Sequence, residues 1–155
     1  MAKKFFQKNL ITNKKAYFDY EILEKFEAGI ALLGMEVKSL KMNKANIVGA
    51  YVVIKHHEAF LLNASISPYQ PQNTSPDYDP QRTRKLLLQT KEIDYLFGKI
   101  KQQGLTLIPL KVYNKNGLIK VEIALVKGKK KFDKREVVKK REIKKRIERI
   151  KKGEY

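Results

Sequence analysis

Few residues in this chain could make or break a covalent bond. Cysteine is absent, so there is no thiolate nucleophile and no cysteine-ligated zinc. His56 and His57 adjoin each other without a third ligand at metal-site spacing. Neither a glycine-rich phosphate loop nor an HExxH motif occurs. Asp77 and Asp79 could mimic the paired carboxylates of a metal-dependent nuclease. The tyrosines and prolines around them read instead as a structural turn. The expectation is no enzyme, no cofactor and no metal site.

The chain offers cations instead. Thirty-four Lys and Arg stand against 16 Asp and Glu, a formal net charge of +18. Such an excess calls for a polyanionic partner, with nucleic acid ahead of an anionic membrane surface. The charge is unevenly placed. From Lys127 to Tyr155 there are 15 basic and 5 acidic residues, so +10 of the +18 lies there. In the body, Lys38, Lys41 and Lys44 flank one short segment, and Arg82, Arg84 and Lys85 form another. If the two meet in space, one face could follow a phosphate backbone. Tyr17, Tyr20, Tyr51, Tyr69 and Tyr78 are rings on which bases could stack. Glu36 could accept hydrogen bonds from exposed base amines. Its plainer role is a salt bridge to Lys38 or Arg84.

The elements that must position these groups are short. Tyr17 to Phe26 alternates like a strand until Leu23, where a bulge or bend is expected. Residues 27–29 read as a bend before a second short strand. Residues 35–42 switch to a helical period that sets Val37 and Leu40 against the body. Residues 47–55 and 59–66 suggest a hairpin turning at His56–Glu58. Ser67 to Gln81 holds four of the five prolines and reads as an ordered loop. Leu86–Leu88 suggests a buried strand. Residues 90–104 suggest a helix capped by Thr90 and stopped by Gly104, with Ile93, Leu96, Phe97 and Ile100 as its packing face. Residues 105–126 form a hairpin around Asn114–Gly117.

The fold class expected is mainly β: a small closed or partly closed barrel of the oligonucleotide-binding type with flanking helices. Three parts follow: residues 1–15 as a basic arm, 16–127 as an RNA-binding barrel, and 128–155 as a basic tail. The tail has Ile143, Ile147 and Ile150 as a narrow stripe and strong like-charge repulsion. It is expected to be disordered when free and helical on a polyanion. No apolar run approaches bilayer length and no signal-peptide core is present, so a cytoplasmic address without a membrane partner is expected.

The segments GMEVKSL, RTRKLLL, GLTLIPLKVY, IKVEIALVKGKK and DKR, in that order, resemble the SmpB family of bacteria, from about Asn13 to Lys152. The resemblance implies an adaptor, monomeric and non-enzymatic. It would bind the tRNA-like domain of transfer-messenger RNA and deliver it to stalled ribosomes for trans-translation. Asn13, Lys14, Tyr20, Glu36, Lys38, Ser39, Lys41, Arg82, Arg84 and Lys85 are the implied RNA-binding set. Phe132, Asp133, Lys134 and Arg135 match the tail signature. Lys139, Lys140, Arg141, Ile143, Lys144, Lys145 and Arg146 continue toward the decoding site and its small-subunit rRNA. The rival is a structural ribosomal protein whose extension threads rRNA.

Overall fold

A computed structural model describes residues 7–102, 104–129 and 131–151, with the side chains of 131–134, 136, 137 and 150 outside that description. In chain order the elements are β1 (Gln7–Thr12), α1 (Lys14–Asp19), β2 (Tyr20–Ile30), α2 (Gly34–Lys41), β3 (Ala45–Asn46), β4 (Tyr51–Lys55), β5 (Glu58–Leu62), β6 (Ser65–Ile66), β7 (Arg84–Leu87), α3 (Thr90–Ile100), β8 (Leu105–Lys115), β9 (Leu118–Gly128) and α4 (Lys131–Lys151). A single 3-10 turn, Pro71–Asn73, interrupts the proline-rich loop.

Antiparallel pairing runs from β8 through β4, β5, β7, β2 and β9 and returns to β8, so the sheet closes into a barrel. The seams are unequal: β2 meets β7 only at Gly29 and Ile30, and β4 meets β8 only at Val52, so the barrel is only partly closed along those edges. β8 is the pivot. One edge pairs with β9 throughout; the other meets β4 at Leu107 and then β1 from Lys111 to Lys115. The small β3–β6 ribbon stands apart.

Two of the three long strands, β2 and β8, carry a bulge. In β2 the register shifts between Ile22 and Glu24, where Leu23 broke the alternation. In β8 it shifts between Pro109 and Lys111, and proline, having no N–H to donate, suits such an irregular place. The main core fills the barrel with Leu61, Leu107, Val121, Ile123 and Leu125, closed by Leu40 of α2 and Leu96 of α3. A second cluster lies outside the barrel, where Ala16 of α1 covers Ile108, Leu110, Ala124 and Val126. That cover explains why β9 is buried on both faces near its end.

Several expectations are corrected. Residues 7–12 are strand β1 rather than part of an arm, because β8 outruns β4 and its free edge takes a partner. Phe5 and Phe6 lie outside the described residues. Tyr17 to Asp19 belong to helix α1, which Asn13 caps: its Oδ1 accepts from the Ala16 N–H at 3.2 Å. The expected bend at residues 27–29 is absent and β2 continues to Ile30. Gly29 lets β7 come close there, since a Cβ would lie 3.2 Å from that of Leu87. Thr90 opens α3 but does not cap it; Glu92 reaches back to the Gln89 N–H at 3.3 Å. Phe97 leaves the packing face, 43% exposed, with Lys101 Nζ 4.4 Å from its ring centre. Of the three leucines at 86–88, Leu86 is buried and Leu87 is 56% exposed. The Asn-Gly turn follows expectation; the other hairpin is shorter and tighter than expected, with Glu58 opening β5 opposite Lys55 and residues 65–66 paired with β3 instead. Asn116 and Gly117 take φ of 52° and 84°, and His56 and His57 take 52° and 59°, the left-handed pair that matches strand twist.

Two glycine substitutions test this reading in opposite directions. Gly117→Val, at φ +84°, is expected to lower unfolding free energy by about 1–3 kcal/mol. Gly98→Ala, mid-helix with no atom near its added Cβ, is expected to raise it by about 1 kcal/mol. Urea titration of both variants measures the pair.

Candidate nucleic-acid interface

The basic face is built on a buried carboxylate. Glu36 sits in the first turn of α2, where its Oε1 accepts from the Leu33 N–H at 2.9 Å. That satisfies a donor the helix cannot satisfy itself. The side chain then turns inward and is fully buried. Arg82 Nε donates to Oε2 at 3.2 Å, and its Nη2 pairs with Oε1. Arg84 Nε donates to Oε2 at 2.9 Å, with its Nη2 also on that oxygen. Tyr78 Oη lies 2.9 Å from Oε2 and the same distance from the Ile66 carbonyl.

Arg84 is as buried as its partner. Its remaining N–H groups reach the carbonyls of Ala64 at 2.9 Å, Arg82 at 3.1 Å and Pro80 at 3.0 Å. A buried cation is tolerable only when every donor is satisfied in this way. No described buried side-chain N or O atom lacks a hydrogen-bond partner. Burial is the largest influence on Glu36 and pushes its pKa up. Donors from Arg82, Leu33 and Arg84, with the Arg84 charge, outweigh it and hold the carboxyl at about 2. Burial, then the Glu36 hydrogen bond, pushes the Tyr78 phenol up.

This network joins the two basic segments. Arg82 and Arg84 tie β7 and the proline-rich loop to α2, and Ser39 Oγ donates to the Ser67 carbonyl at 2.7 Å. The ring of Tyr69 then lies under two exposed lysines, with Lys38 Nζ 5.6 Å and Lys44 Nζ 6.0 Å from its centre. Lys41 is exposed on the same helix. The result is a basic ledge with an aromatic floor, suited to phosphates.

The implied RNA-binding set therefore divides. Asn13, Glu36, Ser39 and Arg84 are buried, and their polar atoms are used inside the body. Asn13 Nδ2, for instance, donates to the Pro109 carbonyl at 3.1 Å. In this structure the side chains of these four are spent on bonds within the body. Glu36 pairs with Arg82 and Arg84, and Lys38 is not its partner. Lys14, Lys38, Lys41 and Lys85 are exposed, with Lys85 paired to Glu58 at 3.1 Å; Arg82 is half turned inward. Tyr20 lies elsewhere, in a cleft of about 410 Å³ beside α1 that Lys15, Asp19, Gly49 and Tyr51 also line.

Sequence reading missed a third group. On the outer face of β2, β9 and β8, Glu27 stands directly opposite Glu122. Like charges so placed repel, and three lysines offset them. Lys25 and Lys111 reach Glu122 at 3.5 and 3.2 Å, and Lys115 reaches Glu27 at 3.2 Å. The Tyr113 hydroxyl also donates to Glu27. That bond lowers the Glu27 pKa, while burial and then Glu27 itself raise that of Tyr113. The sequence reading puts Glu27 in a bend, and only the strand register supplies its neighbours.

In the tail, Arg135, Lys139, Lys140, Arg141, Ile143, Lys144, Lys145 and Arg146 are exposed on α4. The side chains of Phe132, Asp133, Lys134 and Ile150 lie outside the described residues. Arg141 meets the body, its guanidinium 5.8 Å from the centre of the Phe18 ring. No cluster of metal-ligating side chains occurs among the described residues, and no described helix is long and apolar enough to cross a membrane.

The model of the SmpB protein family matches residues 10–153. The chain belongs to the SmpB family. It is 56% identical over 141 residues to an SsrA-binding protein of Thermosipho africanus, covering 90% of this chain and 94% of that one. It is 53% identical over 147 residues to an SsrA-binding protein of Sulfurihydrogenibium, covering 95% and 96%. Among solved structures it resembles a chain described as tmRNA-SmpB at the center of the bacterial ribosome. The TM-score is 0.67 and the identity 43%, over 84% of this chain and 95% of that one. The SmpB family and the mainly β fold with flanking helices thus agree with the sequence reading.

Glu36 gives a pH-dependent test. Its folded pKa of about 2 lies below the ordinary 4.5. The stabilisation is therefore complete above pH 4.5 and is lost as pH falls toward 2, by roughly 3 kcal/mol. Glu36→Gln strands two arginines, so it is expected to cost about 3–5 kcal/mol at pH 7 and to flatten the acid limb. Urea unfolding of both proteins from pH 7 to pH 2.5 measures the two effects.

Proposed function

We propose that this chain is a non-enzymatic adaptor that binds the tRNA-like domain of transfer-messenger RNA and brings it to stalled ribosomes. The kinship with SsrA-binding proteins along nearly its whole length carries this reading. The physical features suit it. Folded RNA is read by shape, phosphates and a few exposed bases, and the body offers a basic ledge, an aromatic-lined cleft and no built catalytic group. The adaptor works as a monomer in the cytoplasm, where ribosomes are.

The tail performs the second task. In the decoding site of a ribosome without message it stands in for codon–anticodon pairing, its cations facing small-subunit rRNA. An intact message in the channel would compete with it sterically and electrostatically, which selects stalled complexes. Away from RNA, repulsion among Lys139, Lys140, Arg141, Lys144, Lys145 and Arg146 opposes the helix. Ile143 and Ile147, 49% and 47% exposed, gain little in water. The segment therefore frays when free and is helical when its charges are neutralised.

Two experiments separate the tasks. Deleting residues 132–155 is expected to abolish tagging on stalled ribosomes while leaving most of the affinity of the body for the tRNA-like domain; equal loss of both sinks the division. Replacing Lys38, Lys41 and Lys44 together by Ala is expected to weaken RNA binding and reduce the slope of log affinity against log salt by about 1 for each phosphate no longer neutralised. Lys85→Ala, already paired to Glu58, should change the slope less. An unchanged slope in the triple variant removes the ledge from the interface.

A further inference from the structure

The tail leaves the body beside helix α1, and one lysine holds the junction. Tyr20, the first residue of β2, pairs with Gly128, the last of β9. The chain beyond Gly128 therefore emerges at the end of α1, the helix that runs straight into β2. Carbonyls in the last turn of a helix have no partner within the helix. In α1 the Tyr20 N–H satisfies that of Ala16. Lys129 takes two of the others. Its backbone N–H donates to the Asp19 carbonyl at 3.1 Å, and its Nζ donates to the Tyr17 carbonyl at 3.1 Å.

Charge reinforces the geometry. The carbonyl end of a helix favours a cation, and the last turn of α1 contains no basic residue. Lys129, 112 residues beyond Tyr17, supplies one. Helix α4 begins two residues later, at Lys131. At Arg141 it meets α1 again, over the Phe18 ring. Root and middle of the tail thus touch the same short helix. Only the contact at the root uses backbone carbonyls, whose positions are fixed by the fold, so that contact can set a direction.

We propose that Lys129 is a positioning residue, a pin that fixes the direction in which the tail leaves the body. Its ammonium ties the tail root to the end of α1, so that α4 starts alongside that helix. It acts through α1 and needs no contact with RNA. Repulsion among the lysines and arginines further out frays the helix but leaves the root tied. The consequence on the ribosome rests on the adaptor reading above: a tail already pointed one way loses less freedom on reaching the decoding site.

The chain has no cysteine, so Val138→Cys, at an exposed position of α4, takes a single nitroxide. In the full chain, free of RNA, the label should broaden the amide signals of Phe18 and Asp19. Lys129→Met keeps the side-chain length and loses the ammonium. The population held beside α1, read from that broadening, should then fall roughly three- to tenfold. Lys129→Arg can donate to the same carbonyls and should restore it. No RNA is present, so a lysine that only meets phosphates would leave the broadening unchanged. On stalled ribosomes, with unlabelled chains, Lys129→Met should lower tagging several-fold and Lys129→Arg should tag like the parent. Affinity for the tRNA-like domain and Tm should stay at parent values in both. Broadening that survives Lys129→Met overturns the proposal. Unchanged tagging, or an equal loss of RNA affinity, overturns it as well. A parent chain that holds its tail beside α1 yet does not tag counts against the adaptor reading and not against the pin.

Discussion

The ion pair between Glu36 and Arg84, both fully buried, is the constraint from which the basic face follows. An isolated charge at that depth would cost several kcal/mol. Neither residue is isolated. The carboxylate accepts from two arginines, a tyrosine and a helix N-terminus, and Arg84 reaches three carbonyls besides. Those carbonyls belong to the β5–β6 connection and the proline-rich loop. One polar knot therefore fixes where α2 starts, where the loop crosses and where β7 enters the barrel.

Position matters for a protein that reads phosphates. Lysines at the surface keep their hydration and rotamer freedom, and their reach depends on the backbone that carries them. Tying α2 to the loop brings Lys38 and Lys44 over the same Tyr69 ring. The buried network holds these surface cations in register. The same logic holds at Asn13. One amide caps α1, bonds the Pro109 carbonyl at the β8 bulge and so sets the wall of the cleft that Tyr20 and Tyr51 line.

Barrel and tail solve opposite problems. The barrel hides its polar backbone by closing on itself, so its shape persists without a partner. The tail places its described side chains in solvent and touches α1 through Arg141 and Phe18. Its helix relies on little tertiary burial.

Much of this was legible in the sequence. The excess of lysine and arginine, the abrupt boundary after Val126, the Asn-Gly turn and the alternation of β9 are local properties, and local chemistry fixes them. The family resemblance added the partner. Other features depended on contacts distant in sequence. A salt bridge from Glu36 to Arg84 was among the readings of the sequence, but the full burial of both and the part taken by Arg82 were not, because these groups lie 46 and 48 residues apart. Glu27 looked ordinary until strand register set it opposite Glu122. Residues 7–12 looked like an arm because their hydrogen-bond partners are on β8, about a hundred residues on. Composition and periodicity determine what a segment can do. Which charge is buried and which stays at the surface was decided by the tertiary fold, because only the packed body creates an interior in which an arginine must find its carboxylate.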